Sequence, residues 1–348
     1  MARIAVIGAG VMGLATGWAL KRRGVEAVVY EQFEVGNDRG SSHGRSRIFR
    51  LAYAEDHYVR LAQEALGLWR ELEAETGETV LELPGLVEIV QTLEESTAET
   101  LERCGVAWER LDREEAERRY PIRVPEGSFV VVQPEAGITR ADKALAALAR
   151  GLDVREHTRA HPDEVDADAV VITAGSWVNE LLDEPLPVTT TRETLCYFRL
   201  DGKRPVPSVV SFQPEKHTHD MYSLHDPKFG LKVGAHHAGQ KADPNVPGEP
   251  EPQLIERIAA WAAETYRLDD PSPVGAETCM YTTTADEGFI LERRGRVVIG
   301  SPCSGHGFKF APAIGELIAG LVDGTAEPPD LFRLQAARAP APVSVGRG

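Results

Sequence analysis

A glycine motif directly after the first apolar run restricts the fold of the N-terminus. Residues 3–7 are predicted to form a β-strand, and Gly8, Gly10 and Gly13 follow as GxGxxG. The first glycine allows a tight turn, the second lets a pyrophosphate approach the backbone, and the third lets helix and strand pack closely. The N-terminus of the next helix then faces the phosphates. The spacing predicts a βαβ unit that binds a dinucleotide.

The residues after the motif complete this unit. The helix is predicted to run to about Arg23 and to be closed by Gly24, because glycine commonly follows the last helical residue. The second strand, Val25–Tyr30, leads to Glu31, which can accept hydrogen bonds from an adenosine ribose and disfavours a 2′-phosphate. NADP is therefore not expected, but the motif does not separate NAD from FAD. The alternative is a glycine-rich turn without a ligand.

Composition limits the partners of the chain. The 348 residues carry a formal net charge of −16, which argues against nucleic acid and anionic membranes as general partners. The four cysteines are widely spaced without a CxxC pair, so neither disulfides nor a metal site are predicted. We find no signal-peptide pattern and no apolar run long enough to span a membrane. These features predict a cytoplasmic protein of one large or two interleaved domains.

A second glycine- and serine-rich segment, GSSHGRSRIFR at residues 40–50, carries three arginines within this acidic chain. If the segment enters a helix, Arg47 and Arg50 lie on one face. Arginine can grip a carboxylate with two parallel hydrogen bonds. The alternative is a solvated basic turn.

This segment, placed after an FAD-type βαβ unit, resembles the monomeric sarcosine oxidase family, which includes N-methyltryptophan oxidase and pipecolate oxidase within the D-amino-acid-oxidase-like flavoproteins. Three further motifs are similar to that family: GLKVGAHH at 230–237, CMYT at 279–282 and SGHGFKF at 304–310. The resemblance implies that Arg47 lies against the flavin and that Arg50 holds the substrate carboxylate.

The C-terminal motifs imply further roles. By resemblance, Cys279 forms a thioether to the flavin 8-methyl carbon, while the other cysteines are expected to be buried apolar residues. Lys309 is implied to face the substrate carboxylate. A helix is predicted to open at Pro312, so its dipole can stabilise negative charge on the reduced flavin next to this lysine.

The middle motif implies the remaining catalytic residues. Lys232 is implied to promote the reaction with O2, since a nearby cation stabilises developing superoxide. His236 is implied to lie near the flavin, and Tyr281, Tyr222 and Tyr53 are expected to form aromatic walls around an amine. For each, the alternative is an ordinary structural or exposed side chain. The full set of expected cofactor-binding residues is Gly8, Gly10, Met12, Gly13, Glu31, Ser41, Ser42, His43, Arg47, Ile48, Gly175, Trp177, Cys279, Met280, Gly305, Gly307, Phe308 and Lys309.

The implied fold is α/β, with a Rossmann-like FAD-binding domain of the D-amino-acid-oxidase (GR2) type interleaved with a mixed-sheet α+β substrate domain. The FAD-binding domain is expected from residues 1–86, 135–180 and 286–348, and the substrate domain from residues 87–134 and 181–285. Family members usually carry a β-hairpin where this chain has only a short stretch near 152–168. The sheet edge there is therefore left open by the sequence.

The implied function is a flavoprotein oxidase of secondary amino acids, such as sarcosine or another N-methyl or cyclic amino acid. A hydride passes from the carbon beside nitrogen to FAD N5, water hydrolyses the imine, and O2 is reduced to H2O2. The amino acid and O2 are the expected partners of a monomer. Two alternatives stay open: an FAD-dependent amino acid dehydrogenase with another electron acceptor, and a non-catalytic dinucleotide-binding regulatory protein.

Overall fold

The N-terminal βαβ unit sets the framework of the chain. In the computed structural model, which describes residues 3–94, 96–200, 206–211 and 220–334, the elements of this unit lie within two residues of the predicted ones. The strands are β1 (Ile4–Ile7), β2 (Ala27–Tyr30), β3 (Arg47–Phe49), β4 (Leu81–Glu82), β5 (Leu86–Val90), β6 (Glu109–Leu111), β7 (Phe129–Gln133), β8 (Gly137–Thr139), β9 (Asp153–Arg155), β10 (Ala169–Ile172), β11 (Val188–Arg199), β12 (Ser208–Ser211), β13 (Met221–Asp226), β14 (Gly230–Ala235), β15 (Gln240–Lys241), β16 (Gly275–Thr284), β17 (Ile290–Arg294) and β18 (Val297–Ser301). The α-helices are α1 (Val11–Arg22), α2 (Asp56–Thr76), α3 (Ala98–Arg103), α4 (Arg113–Arg119), α5 (Ala141–Ala149), α6 (Pro252–Tyr266) and α7 (Ala311–Asp323).

A six-stranded sheet forms around β1 in the order β17-β18-β10-β1-β2-β9. All neighbours pair in parallel except β17 and β18. The central strands are continuous apolar runs, IAVI in β1 and AVVI in β10, as expected where helices cover both faces of a sheet. Helix α7 approaches α1 closely at Gly315, where a Cβ atom would lie 2.6 Å from the Ala15 carbonyl oxygen.

The edge of this sheet, which the sequence left open, is formed by β9. This three-residue strand pairs in parallel with β2. Residues 156–168, which lead from β9 to β10, contain no strand. A single short strand with exposed ends therefore occupies the place where a hairpin was missing.

A nine-stranded mixed sheet supplies the second half of the fold. Its order is β15-β11-β14-β13-β12-β5-β7-β6, with β16 paired to β11. Side chains alternate between the faces of a strand. On β11, Cys196 and Phe198 pack into a core with Ile258 and Trp261 of α6, so the intervening Tyr197 belongs to the opposite face. That second face is turned toward the cavity described below.

A small sheet, β3-β8-β4, corrects one prediction. Residues 47–49 form a strand rather than the start of a helix, because Ile48 pairs with Ile138 of β8. Arg47 and Arg50 therefore do not share a helical face. The strands of the six-stranded sheet lie within the predicted FAD-binding segments, and those of the nine-stranded sheet lie almost wholly within the predicted substrate segments. The domain boundaries stay predictions, and those at residues 1 and 348 lie outside the described residues.

Candidate functional site

A cavity of about 430 Å³ is lined by loops of the six-stranded sheet and by one face of the nine-stranded sheet. It extends from the glycine loop after β1 to the loop before α7. Most residues predicted for the site line it: Gly8, Gly10, Met12, Glu31, Ser41, Ser42, Arg47, Ile48, Arg50, Gly175, Trp177, Tyr222, Lys232, His236, Cys279, Tyr281, Gly305, Gly307, Phe308 and Lys309. Gly13, His43, Met280 and Tyr53 do not.

The glycine loop has the geometry of a phosphate cradle. Gly8 has a φ of 101°, and a Cβ atom there would lie 2.7 Å from the Thr173 carbonyl oxygen. A Cβ atom on Gly13 would lie 1.8 Å from the Gly8 carbonyl oxygen, so Gly13 acts behind the loop and not in the cavity. Ser42 Oγ accepts a hydrogen bond from the Val11 N–H at 3.0 Å. Val11 and Met12, the first residues of α1, also line the cavity, so the dipole of this helix favours an anion there.

Glu31 closes the other side of this cradle. One carboxylate oxygen accepts a hydrogen bond from the Ala9 N–H at 2.8 Å, and the other accepts one from the Phe33 N–H at 3.0 Å. Burial raises the pKa of Glu31, and these backbone donors partly oppose that shift. Each oxygen retains a further lone pair. The arrangement fits the predicted contact with ribose hydroxyls.

The Gly/Ser segment is fixed by its own backbone. Arg47 donates to the carbonyl oxygens of Ser41 at 2.8 Å and Ser46 at 2.9 Å. Ser41 Oγ donates to the Met280 carbonyl oxygen at 2.5 Å, which ties the segment to β16. His43 belongs to this segment, but its side chain is buried away from the cavity. Burial, followed by the charge of Arg47, lowers the pKa of His43 to about 4.

Strand alternation collects the predicted residues of the nine-stranded sheet on its cavity face. On β16, Cys279 and Tyr281 are two apart and both line the cavity. On β14, Lys232 lines it as well, and His236 follows directly after the strand. Gly234 has no side chain because Tyr222 of β13 lies across it: a Cβ atom there would be 2.5 Å from the Tyr222 hydroxyl.

Lys232 and Cys279 are both buried on this face. Lys232 Nζ has no hydrogen-bond partner within the described part of the chain. Burial, followed by the charge of Arg47, lowers the pKa of Lys232 to about 8. Burial also raises the pKa of the Cys279 thiol, while Arg47 and Lys232 act in the opposite direction.

A cation pair lies at the end of the cavity near α7. Lys309 Nζ donates to the Tyr53 hydroxyl at 2.8 Å and to the His306 carbonyl oxygen at 2.6 Å. The guanidinium carbon of Arg50 lies 4.5 Å from the centre of the Tyr53 ring. Burial, followed by the charge of Arg50, holds the pKa of Lys309 well below its usual range. The two cations thus share a neutral partner, which leaves positive potential available for an anionic ligand.

The loop before α7 depends on glycine for its close approach to the sheet. Gly305 has a φ of 75°, and a Cβ atom there would lie 2.5 Å from the Tyr281 ring. A Cβ atom on Gly307 would lie 1.8 Å from the Pro302 carbonyl oxygen. Phe308–Phe310 then form a 3₁₀ turn, and α7 begins at Ala311, one residue before the predicted Pro312. Lys309 is therefore on the turn and not on the helix.

Aromatic side chains and imidazoles form the wall between these cations and the sheet. His236 Nδ1 lies 3.4 Å from the Tyr281 hydroxyl, and its ring meets that of Tyr222 edge-on at 6.4 Å. Burial, followed by the neighbouring His237, holds the pKa of His236 well below its usual range. His236 is therefore a neutral imidazole at physiological pH.

One group of side chains has the composition of a metal site. A ligand atom from each of His236, His237 and Glu287 lies within 4.8 Å of the others. Glu287 is exposed, and its contact with His237 lowers the pKa of Glu287. This arrangement is also that of a surface ion pair, and the absence of a metal stays a prediction.

The residues present fit FAD. The glycine cradle leaves space for a pyrophosphate, and a Cβ atom at any of its glycines would reduce that space. Glu31 is placed to contact the ribose. At the other end, the buried ammonium of Lys232, which makes no hydrogen bond within the described residues, and the Cys279 thiol face the same cavity. A dinucleotide that extends from the glycine cradle to Lys232 and Cys279 would contact all of these groups.

Sequence reasoning missed three residues of the site. Glu277 lies 3.6 Å from Lys232, and Tyr197 donates a hydrogen bond to it. His306 also lines the cavity, where its Nδ1 lies 3.3 Å from the Tyr53 hydroxyl. Alternation along β16 could have revealed Glu277, because it is two residues before Cys279. Nothing local points to Tyr197, which the pairing of strands brings into place.

The fold and the cavity define a class of protein: a dinucleotide-binding protein with a Rossmann-like sheet and a second, mixed sheet that closes the ligand cavity. More narrowly, the chain belongs to the FAD dependent oxidoreductase family (DAO), whose sequence pattern matches residues 3–321. This confirms the family that the motifs predict and its FAD-dependent chemistry.

Known proteins similar to this chain agree with that assignment. Peroxisomal sarcosine oxidase from Homo sapiens is 32% identical over 356 residues, with 90% of each chain covered. Monomeric sarcosine oxidase from Bacillus sp. (strain B-0618) is 31% identical over 357 residues, with 91% of each covered. The solved structure of NikD, an unusual amino acid oxidase essential for nikkomycin biosynthesis, has a TM-score of 0.84 at 25% identity and covers 98% of this chain and 99% of its own.

Among the described residues, none of the helices combines the length and apolar character that a membrane crossing requires.

Proposed function

We propose that this chain is an FAD-dependent oxidase of secondary amino acids. The observation that carries the proposal is the arrangement of one cavity: a dinucleotide cradle at one end, and the cations Arg50 and Lys309 beside the neutral His236 at the other. A pair of cations that shares the neutral Tyr53 suits a carboxylate. A neutral imidazole can hydrogen-bond an amine, and aromatic rings attract an amine in its protonated form through cation–π contacts.

The dinucleotide end would hold FAD through the cradle of Gly8 and Gly10, the start of α1 and the carboxylate of Glu31. When bound, FAD supplies the two-electron acceptor for the carbon–hydrogen bond beside the substrate nitrogen. Cys279 would attach the cofactor covalently as a thioether, and the exposure of its side chain to the cavity from β16 supports this role. Formation of the sulfur–carbon bond would release the thiol proton and the elements of a hydride from the flavin methyl group, and O2 would take up the two electrons and become H2O2.

At the substrate end, Arg50 and Lys309 would bind the carboxylate. Burial, followed by repulsion from Arg50, lowers the pKa of Lys309, and a bound anion relieves that repulsion. Tyr281, Tyr222 and His236 would then restrict the position of the amine, and the neutral imidazole of His236 can accept a hydrogen bond from it. These contacts orient the carbon beside nitrogen and exclude water from it.

Lys232 would serve the reaction with O2. Its ammonium is buried and unpartnered by hydrogen bonds in the described chain, so it can stabilise negative charge that develops on oxygen. The same cavity face carries Cys279, which places this cation beside the predicted flavin attachment. The protein is proposed to act as a monomer, with the amino acid and O2 as its partners.

A screen of secondary amino acids, in both enantiomers, tests the function. The purified yellow protein is mixed with each amino acid in air, and substrate loss and H2O2 formation are both measured. We expect one H2O2 for each substrate molecule oxidised, and primary amines of the same size serve as controls. Turnover only with an artificial electron acceptor, without H2O2, would identify a dehydrogenase instead. A colourless protein without turnover would contradict the proposal altogether.

A further inference from the structure

Among the described residues, Glu277 is the carboxylate that forms an ion pair with the buried ammonium of Lys232. Its Oε1 lies 3.6 Å from Lys232 Nζ, and the Lys232 side chain is only 3% exposed. We infer that Glu277 is a positioning residue that holds Lys232 charged and directed into the cavity for the reaction with O2. This inference rests on the oxygen role of Lys232 in the proposed function.

Strand pairing explains why these groups meet. Lys232 of β14 is directly opposite Tyr197 of β11. Glu277 of β16 is opposite Leu195, two residues before Tyr197, so it is a diagonal neighbour of Tyr197 on the same face. The Tyr197 hydroxyl donates a hydrogen bond to Glu277 Oε1, the oxygen that also faces Lys232. The phenol therefore fixes the carboxylate oxygen on the side where the ammonium lies.

The position of Gly44 shows how closely the charges converge. A Cβ atom on Gly44 would lie 3.5 Å from Glu277 Oε1, 3.6 Å from Arg47 Nη1 and 3.7 Å from Lys232 Nζ. Gly44 also has a φ of 85°, which side chains rarely adopt. The chain thus leaves this point without a side chain, and one carboxylate oxygen and two cations surround it.

Lys232 needs a neighbouring carboxylate because its surroundings disfavour the charged ammonium. Burial of a charged group without compensation is strongly disfavoured, and Arg47 adds a like charge. The groups that face Lys232 and bear on its charge are Arg47 of β3, His43 of the preceding segment, Glu277 and Cys279 of β16, Asp226 of β13 and the Tyr197 ring of β11.

Of the neighbours that favour the charged lysine, Glu277 acts most strongly. Asp226 is already paired with Arg45 at 3.1 Å. Burial raises the pKa of Glu277, but Lys232, the Tyr197 hydrogen bond and smaller contributions from the neighbouring basic side chains, Arg47 among them, outweigh burial and lower it. Glu277 is therefore ionised at neutral pH. Since the pKa of Lys232 is about 8 with Glu277 present, removal of the carboxylate moves that pKa down.

The test measures oxygen reactivity against pH in the holoenzyme. Each enzyme is reduced anaerobically with its amino acid substrate and mixed with O2 in a stopped-flow instrument between about pH 6 and pH 9. In the unchanged protein, the reoxidation rate is expected to fall as the pH rises through about 8. In Glu277→Gln the same fall is expected at least about one pH unit lower, so that the rate at pH 8 is lower by about fivefold or more, because Lys232 is already half deprotonated at that pH in the unchanged protein.

Controls separate a charge effect from damage. At pH 6, where Lys232 is protonated in both proteins, Glu277→Gln is expected to react within about threefold of the unchanged enzyme. Glu277→Asp keeps the charge and should restore most of the profile. The reductive reaction with the amino acid should change little in both variants.

Lys232→Met separates the oxygen role of Lys232 from the positioning role of Glu277. If this variant is reoxidised at the normal rate, the oxygen role of Lys232 is wrong and the proposed function must be revised. If Lys232→Met is slow but Glu277→Gln keeps the normal pH midpoint, Lys232 retains its role and the inference about Glu277 is overturned. A Glu277→Gln enzyme that is equally slow at every pH would overturn it as well, since that result indicates structural loss.

Discussion

The two ends of the cavity are built by different means. The dinucleotide end depends on backbone shape: Gly8, Gly10 and Gly13 lie within six residues, and side chains at these positions would meet main-chain or side-chain oxygens. The sheet end depends on side chains, such as Lys232 and Cys279, that come from separate strands. The first end can therefore be broken by adding one carbon atom, whereas the second changes gradually as single contacts are removed.

This difference predicts how the two ends respond to mutation. Changes in the cradle should affect whether FAD is held at all. Changes on the sheet face or at the cation pair should leave FAD in place and alter its attachment, the affinity for carboxylates or the reaction with O2. Five experiments, from the largest expected effect to the smallest, examine this division.

Cys279→Ser should remove covalent flavin completely, because a hydroxyl cannot form the thioether. The measurement is flavin fluorescence on a denaturing gel, and the folded protein should still bind FAD. Cys303→Ser is the matched control, since Cys303 also lines the cavity but has no predicted attachment role. Retained fluorescence in Cys279→Ser would refute the attachment site.

Gly8→Ala should weaken FAD binding roughly a hundredfold, since a strained backbone with a steric overlap costs about 3 kcal/mol. The affinity is measured by flavin titration in the Cys279→Ser background, where binding is reversible. Gly24→Ala is the control: Gly24 has a similar φ of 73°, but nothing lies within 4 Å of its Cβ position. Equal effects in both variants would mean that backbone strain, and not the close approach, determines binding.

Lys309→Met should weaken the binding of a non-oxidisable carboxylate about thirtyfold, because a hydrogen bond to a charged group contributes about 2 kcal/mol. Binding is followed through the flavin absorbance spectrum of the holoenzyme. Lys241→Met, at an exposed position on β15, should leave this affinity unchanged. An unaltered affinity in Lys309→Met would remove Lys309 from the carboxylate site.

The same carboxylate should bind more weakly as the pH rises. The pKa of Lys309 lies well below its usual range in the free protein, and a bound anion favours the protonated lysine. Binding therefore takes up a proton, and the affinity falls by at most about tenfold per pH unit above the pKa of the free lysine. Titrations at several pH values measure the slope, which should be flatter in Lys309→Met. A flat profile in the unchanged protein contradicts this linkage.

Tyr53→Phe should have the smallest effect, about fivefold on carboxylate affinity, since one hydrogen bond of about 1 kcal/mol to Lys309 is lost. The ring that packs against Arg50 is kept. The FAD content should not change, which separates this variant from those in the cradle. A loss of flavin in Tyr53→Phe would show that the two ends of the cavity are not independent.

The sequence predicted the cradle well because its signals are local. Gly8, Gly13 and Glu31 lie in one continuous unit, and the spacing alone defines the turn, helix and strand. The error at Arg47 and Arg50 has a related cause: a spacing of three residues fits a helix locally, but pairing between Ile48 and Ile138 makes this segment a strand. Local patterns do not include the partner strand.

The contacts on the cavity face of the nine-stranded sheet could not be predicted for the same reason: they depend on which strands pair. Resemblance to known motifs indicated Lys232 and Cys279, but it did not indicate Glu277 or Tyr197. These two residues gain their importance from the register of three neighbouring strands, which a single sequence does not reveal. The shift in the pKa of Lys232 likewise follows from burial, which depends on the whole fold.

The order of strands in the six-stranded sheet also bears on how the protein is made. β1 is synthesised well before its neighbour β10, and β18, which pairs with β10, is synthesised later still. Long-range pairings of this kind form late and slowly. A nascent chain on the ribosome can form the N-terminal βαβ unit but not the rest of the parallel sheet. The sheet beside the cradle is therefore complete only after β18 has been synthesised, and a cradle that can hold FAD comes later than the glycine motif that defines it.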